Sequence, residues 1–563
     1  MQRVNPIWIL SLLFLISPLY SQVNIGGSGL ALTYNIPVWA SASWLMGLAL
    51  LHITNTRKFT YPSLWLFFIS FPVIIIVTSV LGTVDQPITW LFRLLYILGG
   101  LAFLLSLFQF NISPSQLDKI LYIIVIASGI HALIGVAQIH TPELALLWVS
   151  NPAGLVPRGI FQQINVHISF LSTGLIISLY LISRPSFRTR STIVKLSLLF
   201  IFPVALYIIM ASGSRIGLLS IALSLPLVFW SRYTQLRHHK KFLAILFLVS
   251  CCAIFAGKAG IEKTVDKSVQ LSDASYSTAR VAMYTIGLEL VAKEPVSGYG
   301  TGGFLKAWNL QASDFIQRHP ETVLPPYVTH PHNELLFWMI EGGLPSVLGI
   351  VIVIIGIGIA LVRCGFQRGG AYAAMLLPIS LHTQVELPFY ISALHWFLWL
   401  FLIYLALSHA TKMVVINLSA AASKSLQVVA CLFAILVTVF MFNTARAQAD
   451  LYDFLYNKSP KQPYLQLALN NLYFKPAAEQ VAMRSMLYVS IENNDREKVQ
   501  GFVDWAERYV AHSPELKMYE DLISASLYLK PEGNGCDAIH SGLAMYAHNK
   551  PLQEAAEQRC ATK

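Results

Sequence analysis

The segment Thr329-His330-Pro331-His332-Asn333-Glu334-Leu335-Leu336 is where a long polar stretch, roughly 258–334, ends and an apolar run over 335–362 begins. That run exceeds the roughly 20 mostly apolar residues that a membrane-spanning helix needs. Histidine takes up and releases a proton near neutral pH more readily than other side chains. Two histidines beside an Asn and a Glu, at the edge of a span, therefore indicate a reaction centre at a membrane surface. The alternative is a plain helix start, with His332 or Asn333 as the N-cap.

The composition extends this pattern to the whole chain. Of 563 residues, 55% are hydrophobic and 12% are charged, and the mean hydropathy is +0.59. Soluble proteins carry about a quarter charged residues, so the composition indicates a polytopic membrane protein. The net charge of +11 is attributed to Lys and Arg in cytoplasmic loops and not to a nucleic-acid partner.

About 13 apolar segments are predicted as transmembrane helices. They lie near 7–22, 34–53, 61–82, 88–110, 118–139, 165–183, 194–212, 215–231, 242–258, 335–362, 370–386, 390–408 and 425–443. Basic residues fall in alternate connections, which the positive-inside rule assigns to the cytoplasm. The polar segments 140–164 and 258–334 and the tail after 443 then lie on the outer face. The prediction is an all-α polytopic membrane protein with a large outer loop.

Four regions follow from this pattern. They are N-terminal transmembrane helices (1–257), the large outer loop (258–334), C-terminal transmembrane helices (335–443) and an outer helical domain (444–563). In the last region helices are predicted near 446–457, 462–473, 476–492, 495–511, 514–529 and 535–547. Paired helices there resemble tetratricopeptide-like repeats, although no strict period is present. Such a domain could recognise a protein acceptor or cap the membrane part.

Two polar clusters lie at predicted outer ends of spans. Gln162, Gln163 and Asn165 open one span, where they either line a polar cavity or hydrogen-bond neighbouring helices. Arg158, just before them, is a candidate for the same cavity or for a lipid-headgroup anchor. Arg215 follows the tight turn Ser212-Gly213-Ser214, and it either reaches lipid phosphate or faces inward to hold a phosphate group. The inward orientation is favoured because an Arg within a membrane is energetically expensive.

The outer loop carries further candidates. An amphipathic helix that lies on the bilayer, with Arg280 in its first turn, is predicted to begin near Ser277 or Thr278. Its predicted apolar stripe is Val281, Tyr284, Leu288 and Val291. The segment Gly298-Tyr299-Gly300-Thr301-Gly302-Gly303 matches GxGxxG, but no strand precedes it, so a dinucleotide site is rejected. A turn that lets the backbone approach a ligand or a neighbouring helix explains these glycines better.

Two polar segments follow the histidines. Glu341-Gly342-Gly343-Leu344-Pro345 interrupts an apolar run with an acid that is predicted to be buried. The segment from His382 to Tyr390 forms another polar outer mouth. Among the six cysteines, only Cys536 and Cys560 lie in a polar region where a disulfide could form.

The order FQQxN, SGSR, an Arg-bearing loop helix, GYGTGGF and HPHNELLFWMIEGGL resembles the bacterial O-antigen ligase and polymerase superfamily. Within it, the chain is most similar to protein O-oligosaccharyltransferases, which glycosylate pilin-like and other periplasmic proteins. The resemblance is strongest at 158–165, 212–215 and 276–345. The polar tail after 443 fits this branch better than the shorter ligases.

The resemblance implies an enzyme of the bacterial inner membrane whose active site faces the periplasm. It transfers an oligosaccharide as a block from a polyprenyl (undecaprenyl) diphosphate carrier to Ser or Thr hydroxyls, with no cofactor. The partners are therefore the lipid-linked donor, a pilin-like acceptor protein and membrane lipid. The implied residues are His332 for catalysis, Arg215, Arg280 and Arg158 for the diphosphate, and Gln163 (or Gln162), Asn165, Asn333, Glu334 and Tyr390 for positioning.

These residue types suit that chemistry. A hydroxyl is a poor nucleophile, so a base such as His332 assists its attack on the anomeric carbon. Fixed arginines stabilise the charge that grows on the leaving diphosphate. No metal is expected, because the sequence has no DxD and the spacing of His330 and His332 suits no complete ligand set. The alternatives are an O-antigen ligase acting on lipid A core, an O-antigen polymerase, or a transporter with ionisable groups near mid-bilayer.

Overall fold

The computed structural model describes residues 5–82, 84, 86–146, 149, 156–263, 274–325, 328–530 and 535–560. The chain divides into two compact units. Unit 1 comprises Met1–Ser70, Tyr96–Val269 and Val351–Gln462, and unit 2 comprises Phe71–Leu95, Gln270–Ile350 and Pro463–Lys563.

Helices make up most of the described chain. In the first half they are α1 (Ile7–Ser11), α2 (Asn35–Thr56), α3 (Trp65–Leu81), α4 (Pro87–Gln109), α5 (Pro114–His140), α6 (Pro142–Leu146), α7 (Ile164–Ile182), α8 (Thr192–Ala211), α9 (Arg215–Leu236) and α10 (Lys240–Ala256). In the second half they are α11 (Ala274–Lys293), α12 (Phe304–Arg318), α13 (Glu334–Arg363), α14 (Gly365–His382), α15 (Pro388–Ile391), α16 (Ala393–Ala410), α17 (Ala420–Tyr456), α18 (Gln466–Leu469), α19 (Lys475–Glu492), α20 (Arg496–His512), α21 (Leu516–Leu529), α22 (Cys536–Met545) and α23 (Lys550–Cys560).

Each predicted apolar segment contains one of these helices. Among the described residues, 9 helical stretches are long and apolar enough to cross a membrane, and one of them, Arg215–Ala256, includes both α9 and α10. Two shorter apolar helical stretches lie at Ile7–Leu19 and Trp65–Val80. The architecture therefore agrees with a polytopic, predominantly α-helical membrane protein. The figure of about 13 spans stays a prediction.

A small antiparallel sheet in unit 1 departs from the all-α prediction. Strand β1 (Lys58–Pro62) pairs with β2 (Met413–Asn417), so that Lys58 lies opposite Asn417. The sequences KFTYP and MVVIN are rich in aromatic and β-branched residues, which favour extended backbone. No strand was predicted at either segment, and the predicted span 61–82 includes the end of β1, because strands this short beside long apolar helices give little periodic signal.

The centre of unit 1 is formed by helices that are apolar on every face. Every residue of α7 from Val166 to Ile182 is buried, and α16 is buried along most of its length. Such helices are stable only when other helices surround them. The start of α9 approaches α7 closely at Gly217, where an added Cβ would lie 2.3 Å from the Ile168 side chain. This contact brings the turn that precedes α9 to the start of α7.

In unit 2 the loop helix α11 packs against α12 through a face that the sequence did not predict. Its buried residues are Ala282, Met283, Ile286, Leu290 and Val291. Val281 and Leu288 of the predicted stripe are 62% and 57% exposed, whereas Val291 is buried. That the stripe lies on the bilayer stays a prediction. The helix also begins at Ala274, ahead of Ser277 and Thr278. Apolar residues occur around much of this helix, and the packing partners select which of them are buried.

The C-terminal part of unit 2 is a set of short, mutually packed helices with its own apolar core. Helices α19 to α22 confirm the predicted segments near 476–492, 495–511, 514–529 and 535–547. The predicted helix over 462–473 was wrong, because only the four residues of α18 are helical there. Residues 446–456 continue α17, and α23 was not predicted. The tetratricopeptide-like assignment stays a prediction.

A disulfide joins the last two helices of this domain. Cys536 and Cys560 are bonded, with their Cα atoms 5.7 Å apart. Together with His540 they form a group of metal-ligand type among the described residues. As a disulfide, however, the two sulfurs are not available as thiolate ligands.

Helix α12 and the C-terminal helices belong to the same folded unit. The buried Asn309 side chain of α12 donates to the Pro514 carbonyl oxygen (3.2 Å) and to the Tyr546 hydroxyl (2.9 Å). Buried amides are stable only when such partners are present. Two regions that are far apart in sequence, the outer loop and the C-terminal domain, are therefore packed together.

Candidate functional site

A cluster of polar side chains in unit 1 is centred on the Glu386 carboxylate. Gln163 Nε2 donates to Glu386 Oε2, Asn165 Nδ2 donates to Oε1 (3.0 Å), and His382 Nε2 donates to Oε2 (3.0 Å). Ser214 joins the cluster because its hydroxyl donates to Asn165 Oδ1 (2.7 Å). The FQQxN, SGSR and HTQVE segments, far apart in sequence, thus meet around one carboxylate.

Helix caps place these residues. Gln163 is the N-cap of α7, since its Oε1 accepts from the Val166 N–H (2.8 Å). Ser214 is the N-cap of α9, and its Oγ accepts from the Gly217 N–H (3.1 Å). Capping satisfies backbone N–H groups that the first helical turn leaves unpaired. Both helices therefore begin at the cluster, and their polar ends face it.

The network continues into the buried part of unit 1. His382 Nδ1 lies 3.0 Å from Ser169 Oγ, and Ser169 Oγ lies 3.2 Å from His395 Nε2. His395 Nε2 is also 2.9 Å from the Val166 carbonyl oxygen. Its Nδ1 lies 2.8 Å from the Ser392 hydroxyl, which caps α16. The connected polar groups therefore link the starts of α7, α9 and α16 with the end of α14.

The environment of Glu386 favours its charged form. Burial alone would raise the pKa of this carboxyl, but the hydrogen bonds from His382, Gln163 and Asn165 hold its pKa below the ordinary value. A carboxylate surrounded by donors is stabilised as the anion. The cluster therefore contains a negative charge that sequence analysis did not assign to the site.

The predicted arginines of unit 1 lie on fixed backbone. Arg215 is the first residue of α9 and is half-buried. Arg158 is also half-buried, and the next residue exchanges two hydrogen bonds with the Gln138 side chain, at 2.8 and 3.2 Å. That residue, Gly159, has φ +57°, and an added Cβ would lie 2.8 Å from the His167 ring. The backbone beside Arg158 therefore tolerates little change.

Gln162 and Tyr390 occupy different surroundings from Gln163. Gln162 has φ +59°, and its side chain donates to Asn24 Oδ1 (3.1 Å). Tyr390 is half-buried in α15, the turn that follows the Glu386 segment. The carbonyl of the next residue, Ile391, accepts from Asn35 Nδ2 (2.8 Å). Of the two glutamines, only Gln163 joins the Glu386 cluster through a described hydrogen bond.

In unit 2 the His332 backbone adopts an uncommon conformation. Its φ is +52°, in the left-handed region that non-glycine residues rarely occupy. The His332 N–H donates to His330 Nδ1 (3.2 Å), and the two imidazole centroids lie 4.4 Å apart. Strained backbone of this kind is concentrated at functional sites, where surrounding structure holds it in place.

Asn333 holds His332 at the start of α13. Asn333 Oδ1 accepts from the Leu336 N–H (2.9 Å), and its carbonyl accepts from the Phe337 N–H (3.0 Å). Asn333 is therefore the capping residue, one of the two alternatives that the sequence left open. Glu334 is the first residue of the helix, a position where the helix dipole favours an acid.

The glycine-rich loop packs against a break in α13. Gly343 has φ +64° inside that helix, and the Leu344 N–H donates to the Pro295 carbonyl (2.8 Å). An added Cβ on Gly298 would lie 2.6 Å from the Glu341 backbone. These glycines were predicted to let the backbone approach either a ligand or a neighbouring helix. The structure shows the close approach to a helix.

The buried acid of this region is ion-paired. Glu341 forms a salt bridge with Arg93, and its Oε1 accepts from the Gly302 N–H (3.0 Å). Arg93 also lies 4.9 Å from the Phe337 ring centroid. The prediction that Glu341 is buried is therefore confirmed. Arg280, the third predicted phosphate ligand, lies in unit 2 and is exposed on α11.

Comparison with known families matches most of the second half of the chain. A family described as O-antigen ligase matches residues 198–351, and one described as virulence factor membrane-bound polymerase, C-terminal, matches residues 371–561. Over these two regions the chain is similar to the O-antigen ligase and polymerase families, which supports a place in that superfamily. No curated protein matches the chain significantly.

Each of the two matched regions contains some of the candidate residues. The ligase-type region includes Arg215, Arg280 and His332, and the polymerase-type region includes Glu386 and Tyr390. Together with the multi-pass architecture, they support a membrane enzyme that transfers glycans. Sequence analysis missed Glu386, His382, Ser169 and His395 as site residues. The polar segment from His382 to Glu386 was predicted to lie at the end of a span, but nothing in the sequence indicates a contact with Gln163.

Proposed function

We propose that this enzyme transfers an oligosaccharide as a block from undecaprenyl diphosphate to Ser or Thr hydroxyls of periplasmic proteins. The observation that carries the proposal is the convergence of the FQQxN, SGSR and HTQVE segments around Glu386, with Arg215 directly following. An acid-centred polar cluster at helix ends, within a membrane-spanning bundle, fits an enzyme that handles a lipid-linked sugar.

The donor diphosphate would be held by arginines. Arg215 occupies the first turn of α9, where the helix dipole also favours an anion. Arg158 and the exposed Arg280 supply further guanidinium groups, which bind phosphate oxygens in bidentate geometry. In the reaction the bond between the anomeric carbon and the diphosphate oxygen breaks, and these charges stabilise the departing diphosphate.

His332 would act on the acceptor. As the Ser or Thr oxygen forms its bond to the anomeric carbon, the imidazole takes the hydroxyl proton. The capping by Asn333 and the left-handed backbone at His332 would fix the ring for that step. Glu334, at the start of the same helix, and Tyr390 and Gln162 in unit 1 are proposed to position substrate. No metal or cofactor is required by this scheme.

The proposed acceptor is a pilin-like protein on the periplasmic side of the inner membrane. The C-terminal helical domain supports a protein acceptor, because paired helices are a common peptide-binding architecture. This domain lies within the region that matches the polymerase C-terminal family.

An O-antigen ligase that acts on lipid A core is the second candidate, and the ligase-type match over 198–351 favours it. One experiment separates the two. The purified chain in liposomes receives lipid-linked oligosaccharide together with a pilin-like protein and a lipid A core acceptor. The proposal expects label on the protein. Label on the lipid core alone would establish the ligase activity instead, and glycan-to-glycan products would establish a polymerase.

A further inference from the structure

We propose that Glu386 is the positioning residue of the transfer reaction, holding Gln163 and the first turn of the Arg215 helix in one arrangement. This inference rests on the proposed glycan transfer but not on the identity of the acceptor. It adds a residue and a role that neither the motifs nor the family matches assign.

The two carboxylate oxygens of Glu386 accept hydrogen bonds from different donors. Oε2 accepts from Gln163 Nε2 and His382 Nε2, and Oε1 accepts from Asn165 Nδ2. The Gln163 amide is therefore held at both ends, since its other end caps α7. His382 is itself fixed by Ser169, so the carboxylate cannot move without disturbing buried groups.

The connection to Arg215 passes through an amide and a hydroxyl. Asn165 donates to Glu386 at one end and accepts from the Ser214 hydroxyl at the other. Ser214 in turn caps α9, whose first residue is Arg215. Three successive hydrogen bonds thus run from the carboxylate to the Gly217 N–H, two residues after Arg215. A shift of Glu386 is expected to displace the start of α9.

The site requires a group that only accepts hydrogen bonds. All three direct neighbours of the Glu386 oxygens are N–H donors. An ionised carboxylate has acceptors at both oxygens, whereas an amide has a donor at one end. A glutamine at this position would therefore place an N–H group against Asn165 or against Gln163 and His382. If the Asn165 amide then turned over, the Ser214 hydroxyl would lose its present acceptor.

A competing role for Glu386 is direct proton removal from the acceptor hydroxyl, because 17% of its side chain is exposed. The two roles make different predictions for a double variant in which the carboxylate at position 386 and the amide at position 165 are exchanged. In Glu386→Gln with Asn165→Asp, the new amide donates to the new carboxylate. The other carboxylate oxygen accepts from Ser214, and the new amide oxygen accepts from Gln163 and His382. Every described hydrogen bond is restored, but the base at position 386 is gone.

The test compares transfer by the two single variants, the double variant and wild type. Each single variant is expected to lower kcat about 10- to 100-fold, the range for an unpaired polar group in a buried site. The rate is normalised to folded protein, and the double variant is expected to recover most of it. Coupling of this size is what a double-mutant cycle detects between directly contacting groups.

Several controls make the outcome decisive. Glu143→Gln, an exposed acid of unit 1, should leave kcat unchanged. A double variant that stays inactive, folded or not, would overturn the proposal, as would single variants that lose activity only in proportion to lost folded protein. Transfer is read on whichever acceptor class wild type labels. An enzyme active on lipid core therefore refutes the protein-acceptor proposal without affecting this one.

Discussion

Two glutamates with opposite surroundings distinguish the two units. Glu341 in unit 2 is 1% exposed and is ion-paired with Arg93, with a backbone N–H on its other oxygen. Glu386 in unit 1 is 17% exposed and is held by two amides and an imidazole. Both are acids in an apolar chain, and the partners of neither could be read from the sequence.

The difference in partners implies a difference in purpose. An ion pair with a buried member is costly to break, because removing one charge takes away the partner that offset the desolvation of the other. A partly exposed carboxylate among neutral donors can be rearranged at lower cost, and it meets residues that belong to functional motifs. Glu341 is therefore expected to maintain the fold of unit 2, and Glu386 to maintain the geometry of the reaction.

The largest expected effect is that of Glu341→Ala on stability. The substitution removes the buried carboxylate that pairs with Arg93 and accepts from the Gly302 N–H, so a loss of about 3 kcal/mol is expected. Thermal unfolding in detergent and the yield of folded protein measure it. Glu321→Ala, an acid with a 75% exposed side chain, serves as the control. An unchanged melting temperature for Glu341→Ala would contradict the structural role.

Next in size is Gly298→Ala. The new Cβ would overlap the Glu341 backbone, and the φ of +60° already disfavours a side chain. A loss of about 1–3 kcal/mol is expected from this overpacking. Gly358→Ala is the matched control, since no atom lies within 4 Å of its added Cβ. If both variants unfold at the same temperature, the close loop–helix packing in unit 2 is not important for stability.

The smallest effect is the pH dependence that Glu386 gives to stability. Its pKa is lowered in the folded protein from the ordinary value of 4.5, so its stabilising contribution is present above that pH and is lost as the pH falls through the lowered pKa. Glu386→Gln is expected to cost about 1 kcal/mol at neutral pH. The melting-temperature difference from wild type should shrink in acid. A melting-temperature difference that stays constant from pH 7 down to the acid limit of folding would contradict a charged Glu386.

The sequence predicts the helices better than their partners. Hydropathy located every apolar helix because length and composition alone define such segments. The burial of Glu341 and the close approach at the glycine-rich loop also followed from local sequence. The buried face of α11 did not, since Val281 and Met283 are both apolar and only tertiary packing exposes the first and buries the second.

The candidate site was also predicted only in part, because its residues meet through tertiary packing. Gln163, Asn165 and Ser214 lie in short motifs at predicted span ends, and the resemblance placed two of those motifs in one function. Glu386 was missed because its two amide partners are more than 200 residues away along the chain. No local pattern indicates which amide a carboxylate will meet. The β1–β2 pair was missed through the same lack of local signal.

The most direct test of the central claim is the rate of glycan transfer by His332→Ala, measured beside wild type in liposomes that contain lipid-linked oligosaccharide and the acceptor. His319→Ala, an exposed histidine of the same loop, is the matched control. The account predicts that His332→Ala is folded but transfers no detectable glycan, while His319→Ala keeps the wild-type rate. Transfer by folded His332→Ala at the wild-type rate would contradict the account.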